Sequence, residues 1–364
     1  MSKTKHELLG KGTYGCVFKP EFPCYKNIGS HIKSESRRSL VGKVFKSESA
    51  YLQELKLMEE VNKIDKDGMF TMPLIKSCEI LLNKKDKQSI KSCKHINYEQ
   101  IENQYQLIYE YGCITLHDFI LKNYKQYDIL DYLKSFEILI MGLINMQKKK
   151  LCHRDIKETN ILIKDKKMYF IDFGLAEYNK DVYDEKYTYV LRHTYVYYPP
   201  EFRLYYNCVK KDKELPKDPM INYEDDMNLF NLIGYTSVEM EKDIKSFQTL
   251  LLSKKSDTQK KRYLSKNGSK IDVFSLGIVM LCFYEGQHND KKYPSVFDKL
   301  RYEIYNLIKE MIHFNIKERI DIYDLFEKIS KINNVFECLK TKRYKYKKSS
   351  SSKHSDEAKS SPFM

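Results

Sequence analysis

Tryptophan is absent from the 364 residues, and several other absences narrow the class of protein. No run of about eighteen consecutive apolar residues occurs, so a membrane-spanning helix is not expected. The richest apolar stretch, FEILIMGLINM, reads as a buried helix instead. The start, MSKTKHELLG, lacks the apolar run of a secretory leader. Nine cysteines are scattered along the chain, an odd number, and no Cys-x-x-Cys pair occurs. That pattern argues against a disulfide framework and against a zinc knuckle. The expectation is a reducing, intracellular setting, with the cytoplasm as first choice.

Acidic residues are outnumbered: 64 Lys and Arg face 50 Asp and Glu, a formal charge of +14. No nucleic-acid recognition motif accompanies this charge, so a solvated lysine-rich surface is the expectation and nucleic acid is not an expected partner.

What is present has a clear order. HELLGKGTYGCVFKP reads as a hairpin and LVGKVFK as a short strand, while LIKSCEILL and YQLIYEY read as further strands. AYLQELKLMEEVNKI places Leu52, Leu55, Met58 and Val61 at helical spacing. From about Tyr127 the pattern turns helical. Strands with one main helix, then mostly helices, predict an α+β protein of two lobes. We expect a small, mostly β lobe over 1–110 and a larger, mostly α lobe over 111–335. The second carries an insertion at about 207–268, and 336–364 reads as a basic, Ser-rich, disordered tail. Residues 20–39 and 83–104 read as loose, inserted segments.

Three glycines, Gly10, Gly12 and Gly15, open the chain's first motif. G-x-G-x-x-G alone occurs in unrelated folds, but here Cys-Val-Phe-Lys follows it, which is strand-like and argues against a dinucleotide-binding helix. The decisive run is LCHRDIKETNILI, with His153, Arg154, Asp155, Lys157 and Asn160. Twelve residues past Asn160 come Asp172, Phe173 and Gly174 in IDFGLAE. Between them, NILIKDKKMYFIDFG reads as strand, charged turn and strand.

These motifs resemble the catalytic loop and metal-binding turn of the eukaryotic protein kinase superfamily, and the resemblance runs from about Leu8 to Lys331. It implies a bilobal kinase fold and a Ser/Thr protein kinase that uses ATP and magnesium, with manganese able to substitute. Its partners would be ATP and proteins bearing Ser or Thr. In that pattern Asp155 is the catalytic base and Lys157 reaches the transferred phosphate, as in Ser/Thr kinases. Asn160 and Asp172 hold the metal. LVGKVFK offers Lys43 and Lys46, and the family's strand pattern puts Lys43 at the phosphate-binding place. Its partner would be Glu54 rather than Glu59 or Glu60. Gly10, Lys11, Gly12, Thr13, Tyr14 and Gly15 would form a lid over the phosphates. Val17, Val41 and Leu162 would sandwich adenine, with Tyr109 at the back and the backbone of Glu110 and Gly112 at its edge.

The same resemblance takes Glu201 and Arg319 as an ion pair and Asp272 as the carboxylate bracing the catalytic loop. Cys16 would lie near the nucleotide, open to thiol-directed reagents. The phrase GTYGCVFKPEFPC also resembles the start of divergent kinases of large cytoplasmic DNA viruses, which would add host cytoplasm or virion as locations. The run KRYKYKK is a candidate nuclear address. A competing reading is a pseudokinase or scaffold acting through its insertions, against which the intact catalytic set argues.

Overall fold

A computed structural model describes residues 6–12, 14–30, 39–93, 104–180, 196–201, 227–232, 234–287 and 295–357. Six strands build one sheet: β1 (Glu7–Lys11), β2 (Gly15–Lys19), β3 (Cys24–Ser30), β4 (Leu40–Phe45), β5 (Lys76–Ile80) and β6 (Gln104–Glu110). Their order is β1-β2-β4-β6-β5-β3, and every neighbouring pair is antiparallel. Strand alternation splits the sheet into two faces. Val17, Lys43 and Leu107 form one cross-strand row, while Cys16, Val44, Gln106 and Cys78 form the next, pointing the other way.

The inner face is covered by α1 (Glu48–Ile64), which Ser47 caps by accepting the Ala50 amide at 3.3 Å. Its buried residues are Tyr51, Glu54, Leu55, Leu57, Met58 and Val61, whereas Leu52 is 51% exposed. The apolar face is therefore centred one residue earlier than the Leu52-based spacing implied. The outer face carries its own small core of Cys16, Phe18, Phe22, Val44, Cys78, Ile80, Leu82, Ile90, Cys93 and Ile108. Both segments read as loose contribute to it. Residues 24–30 form β3, and residues 84–90 form α2 (Lys84–Ile90), closed at its start by a reciprocal Asn83–Asp86 capping box.

Beyond β6 lie β7 (Ile114–Thr115), α3 (Leu116–Lys122), α4 (Leu133–Lys148), β8 (Leu151–Cys152), β9 (Ile161–Lys164), β10 (Lys167–Phe170) and β11 (Glu177–Tyr178). The helical part continues with α5 (Met227–Asn231), α6 (Ser237–Leu252), α7 (Asp257–Lys266), α8 (Ser269–Glu285), α9 (Asp298–Met311) and α10 (Ile322–Glu357). A mostly β region thus precedes a mostly helical one, an α+β arrangement. The segments NLFNLIGY and SFQTLLLSKK of the expected insertion contribute α5 and much of α6. Helix α10 runs straight through the boundary drawn at 336, because Phe336 is buried against Phe297 and carries the apolar face onward. The backbone of the segment read as a disordered tail stays helical to Glu357.

Helix α8 is buried on nearly every side and packs against α4 and α9. One continuous core joins the two regions, from Phe45, Tyr51 and Met58 through Phe70 and Phe173 to Phe136, Leu276 and Phe283. Among the described residues, no helix is long and apolar enough to cross a membrane.

Four cysteines correct the expectation drawn from their spacing. Cys16 is bonded to Cys93, and Cys24 to Cys78. The partners lie 77 and 54 positions apart in sequence, so no local motif announces them. With these four cysteines paired, cysteine usage no longer points to a reducing compartment.

Candidate active site

The glycines of the β1–β2 hairpin have different reasons to be glycine. A Cβ on Gly15 would lie 2.1 Å from the Val44 carbonyl oxygen, so β2 can approach β4 only without one. A Cβ on Gly10 would meet nothing within 4 Å. The Gly12 amide donates to the Gly15 carbonyl at 2.8 Å, tightening the turn. Lys11 is exposed at the strand end, and Thr13 lies outside the described residues. The Tyr14 carbonyl accepts the Lys46 amide at 2.9 Å, and Lys46 Nζ stands 5.1 Å from the Tyr14 ring centre. A Tyr14 ring carbon lies 3.5 Å from where a Gly174 Cβ would stand, so the hairpin tip meets the turn that carries Asp172.

Lys43 is the centre of a buried charge cluster. Its Nζ donates to both Glu54 oxygens at 2.7 Å and to Asp172 Oδ1 at 2.9 Å. Lys46, the alternative in sequence, sits instead at the Tyr14 ring. Burial alone would lower the Lys43 pKa, but the Asp172 and Glu54 carboxylates outweigh it and raise it above the usual lysine value. Glu54 is 2% exposed, and burial pushes it up to about 7 against the pull of Lys43. The two ends of the pair differ because one ammonium serves two carboxylates. Asp172 keeps its charge: burial would raise it, yet Lys43 holds it below the usual carboxylate range. Its side chain is 31% exposed, so the cluster opens to solvent on that side. Asp172 has φ +62°, a left-handed conformation that costs a non-glycine residue about 1–3 kcal/mol and is common where function holds it.

The loop between β8 and β9 assembles a second cluster. Asp155 accepts from Lys157 Nζ at 2.9 and 3.1 Å, and Asn160 Nδ2 donates to Asp155 Oδ2 at 2.7 Å and to its carbonyl at 2.9 Å. The Asn160 amide nitrogen is thus turned to Asp155, which leaves its oxygen as the group a cation would meet. Burial raises the Asp155 pKa, with Lys157 opposing. His153 is fully buried, and burial lowers it to about 4, so it is neutral near pH 7. Its Nδ1 accepts the Asp155 amide at 3.3 Å, which makes Nε2 the donor to the Ile171 carbonyl at 3.2 Å. One imidazole therefore ties the Asp155 loop to the segment entering Asp172.

The residues expected around adenine occupy the sheet's inner side and the strands beyond it. Val17 and Val41 flank Lys43 on that face, and Val41 pairs with Tyr109 across β4 and β6. The Tyr109 hydroxyl is raised well above its usual pKa by burial, with Glu54 and Asp172 adding to the shift. Glu110 ends β6, and Gly112 has φ +135°, a backbone that favours glycine. Leu162 stands in β9 opposite Thr115 and Tyr169.

Comparison with known proteins agrees with this geometry. The model of the protein kinase domain matches residues 3–213, more than half of the chain. This chain belongs to the protein kinase domain family. The kinase is also 27% identical over 136 residues to the CTD kinase subunit alpha of Saccharomyces cerevisiae. That alignment covers 37% of the kinase and 25% of the relative, so the matched part spans a quarter of the relative's length.

Two buried carboxylates lie beneath the kinase's clusters in the helical region, and one of them braces the Asp155 loop directly. Asp272 on α8 accepts the His153 amide at 2.8 Å and the Arg154 amide at 2.9 Å, one on each oxygen. Arg154 has φ +66°, so Asp272 secures a left-handed turn one residue before Asp155. Burial pushes Asp272 up to about 6. Glu201 pairs with Arg319, and both side chains are fully buried. Arg319 also donates to the carbonyls of His313 and Lys270 at 3.0 Å each.

Cys16 requires a correction. It points to the sheet's outer face, away from Lys43, has no exposed surface and is bonded to Cys93, so it is not open to a thiol reagent. The expectation counted residues from Gly15 and ignored strand alternation. Sequence reading also missed the contact between Tyr197 and Glu158, and the Ser275 hydroxyl donating to the Tyr197 carbonyl at 2.8 Å. These link the loop before β9 to α8, and no motif in the sequence marks such a pairing.

Proposed function

We propose that this protein kinase transfers the γ-phosphoryl group of ATP to serine and threonine hydroxyls of proteins, with Asp155 as catalytic base. The carrying observation is one molecule holding Lys43–Glu54–Asp172 and Asp155–Lys157–Asn160 as two connected clusters, with Asp172 opening to solvent. Phosphoryl transfer asks for positioning and charge neutralisation, and these residue types supply both. Lys43, kept charged by two carboxylates, would hold the nucleotide's non-transferred phosphates. Asp155 would orient the attacking hydroxyl and take its proton. Lys157 would shift from Asp155 to the transferred group as charge builds there.

Asp172 and Asn160 offer hard oxygen donors that suit magnesium. Among the described residues no group of three or more His, Cys, Asp or Glu forms a cation site. Two protein donors suit an ion that keeps waters and shares phosphate oxygens, which when bound would neutralise the charge of the phosphates. The hairpin lid of Gly10, Lys11, Gly12, Thr13, Tyr14 and Gly15 would close over those phosphates. Val17, Val41, Leu162 and Tyr109 would enclose the base, and the Glu110 and Gly112 backbone would bond its edge. Serine/threonine preference rests on Lys157, two residues past Asp155, in the kinase pattern.

The test is phosphoamino-acid analysis of a mixed peptide library incubated with ATP and magnesium or manganese, with Asp155→Asn as control. Phosphoserine and phosphothreonine from wild type and none from the variant are expected. Equal silence of both proteins would leave the pseudokinase reading standing, and phosphotyrosine alone would sink the Ser/Thr assignment.

A further inference from the structure

The outer face of the sheet is sealed by two segments that would otherwise be surface additions, and each is attached by a cysteine pair. Cys24 of β3 is bonded to Cys78 of β5, with Cα atoms 5.7 Å apart. Cys93, just past α2, is bonded to Cys16 of β2, with Cα atoms 6.1 Å apart. Both distances lie in the range a disulfide spans. The four sulfurs sit in one small core with Phe18, Phe22, Val44, Ile90 and Ile108.

Polar contacts run in parallel with these bonds. His6 stacks on Phe22 with ring centres 4.0 Å apart, donates from Nδ1 to the Pro20 carbonyl at 2.9 Å, and lies 3.5 Å from Asp86 of α2. Gln106 accepts the Phe22 amide at 3.2 Å and donates to its carbonyl at 2.5 Å. The two bonds differ in what they reach. Cys24–Cys78 ties the edge strand β3 to its own neighbour. Cys16 immediately follows Gly15, so its bond to Cys93 fastens α2 to the strand that leaves the glycine hairpin. Among the described residues β1 is the edge of the sheet and pairs with β2 alone, so the strand ladder holds the hairpin only through β2.

We propose that Cys16 and Cys93 are a redox modification site whose oxidation state sets the order of the glycine hairpin, and through it the affinity for ATP. The nucleotide part rests on the ATP-dependent kinase reading above. Formation of the bond takes one proton and one electron from each thiol. A small-molecule disulfide such as oxidised glutathione accepts the electron pair and leaves as two thiols. A dithiol reverses the step by exchange and ends as its own cyclic disulfide. Both protein sulfurs are buried, so exchange proceeds through opening of α2 from the sheet and is slow.

The experiment compares full-length wild type treated with oxidised glutathione against the same protein after long incubation with dithiothreitol. Alkylation in denaturant followed by non-reducing peptide mapping reads the bonds, and hydrogen exchange over residues 7–19 reads the hairpin. Linked Cys16 and Cys93 peptides are expected after oxidation, and on reduction exchange across 7–19 accelerates on the order of tenfold. The KM for ATP should rise several-fold with kcat changed less. Cys16→Ser with Cys93→Ser should behave as reduced wild type under both treatments, whereas Cys24→Ser with Cys78→Ser should still respond at 7–19. Full alkylation of Cys16 and Cys93 after oxidation, or unchanged exchange at 7–19 between the two states, overturns the proposal. A hairpin that responds in a protein that never transfers phosphate overturns the kinase reading and leaves the redox site standing.

Discussion

The Glu201–Arg319 pair allows a quantitative test that needs no catalytic assay. Both side chains are fully buried, and Arg319 makes hydrogen bonds to both Glu201 oxygens and to the carbonyls of His313 and Lys270. Its guanidinium also lies 4.9 Å from the Phe274 ring centre. Replacing Arg319 by methionine keeps the bulk but strands a carboxylate without its partner. Breaking a buried pair in this way costs about 3–5 kcal/mol, a large share of a domain's total stability of about 5–15 kcal/mol. Lys270 is half-buried nearby, where burial and Arg319 together lower its pKa. Once Arg319 is gone, Lys270 can offer Glu201 part of a counter-charge, so the expected loss is about 3 kcal/mol, the lower end of that range. Arg319→Lys retains the charge but loses the fork geometry, and should fall between wild type and Arg319→Met. Glu201→Gln with Arg319→Met should cost clearly less than the sum of the single changes, because neither partner is left charged alone. Urea titration followed by circular dichroism measures each stability. If Arg319→Met costs under about 1 kcal/mol, or the double variant costs the full sum, the pair is not the buried anchor described.

Further outcomes follow from the site. Glu54 has its folded pKa raised to about 7, so its contribution to stability is present at low pH and is lost as pH rises through 7. Moving from about pH 8 to about pH 6 should therefore favour the fold by on the order of 1 kcal/mol relative to Glu54→Gln, while phosphotransfer falls as the Lys43 pair loses its charge. Parallel melts and rates across that window check both signs, and activity rising on acidification would contradict them. Asp272→Asn puts an amide donor against one of the two backbone N–H groups at His153 and Arg154, and should lower kcat roughly ten- to hundredfold with a smaller effect on KM. Steady-state kinetics separates the two, and a KM-only effect would refute the bracing role. Gly15→Ala should destabilise by about 1–3 kcal/mol while Gly10→Ala leaves the melt unchanged, because only the first meets the backbone of β4. Equal melts for both would show that the sheet can yield at Gly15.

The two charge clusters were legible because their residues lie within short spans or on known periods. Asp155, Lys157 and Asn160 lie within one loop, and Asp172 follows after one hairpin whose apolar–charged–apolar pattern is plain. Lys43 was separable from Lys46 because the family's strand pattern fixes its place, and Glu54 because it borders the buried face of α1. The outer core was not legible, for a physical reason. Phe22, Ile90, Cys24 and Cys93 come from stretches rich in Lys, Pro and Asn, where single apolar residues set no period. Their burial depends on partners tens of residues away. Likewise, the end of the chain is basic and Ser-rich, yet Phe336 and Leu339 pack α10 against the core past the compositional boundary.

The period of two in β2 and β4 keeps two kinds of chemistry apart on adjacent residues. Val17 and Lys43 share the inner row, where Lys43 meets Glu54 and Asp172. Cys16 and Val44 share the outer row, where Cys16 meets Cys93. A one-residue register slip between the strands would exchange these faces, burying an ammonium among sulfurs and phenyl rings and turning a thiol toward the charge cluster. Gly15 guards against that slip, since its approach to Val44 leaves no room for any other residue at the end of the ladder. The same glycine that closes the G-x-G-x-x-G motif therefore sets the register that presents Lys43 to its partners. This is why Gly15→Ala is expected to weaken the fold and, on the proposed function, nucleotide binding, while a change at Gly10 leaves the fold intact.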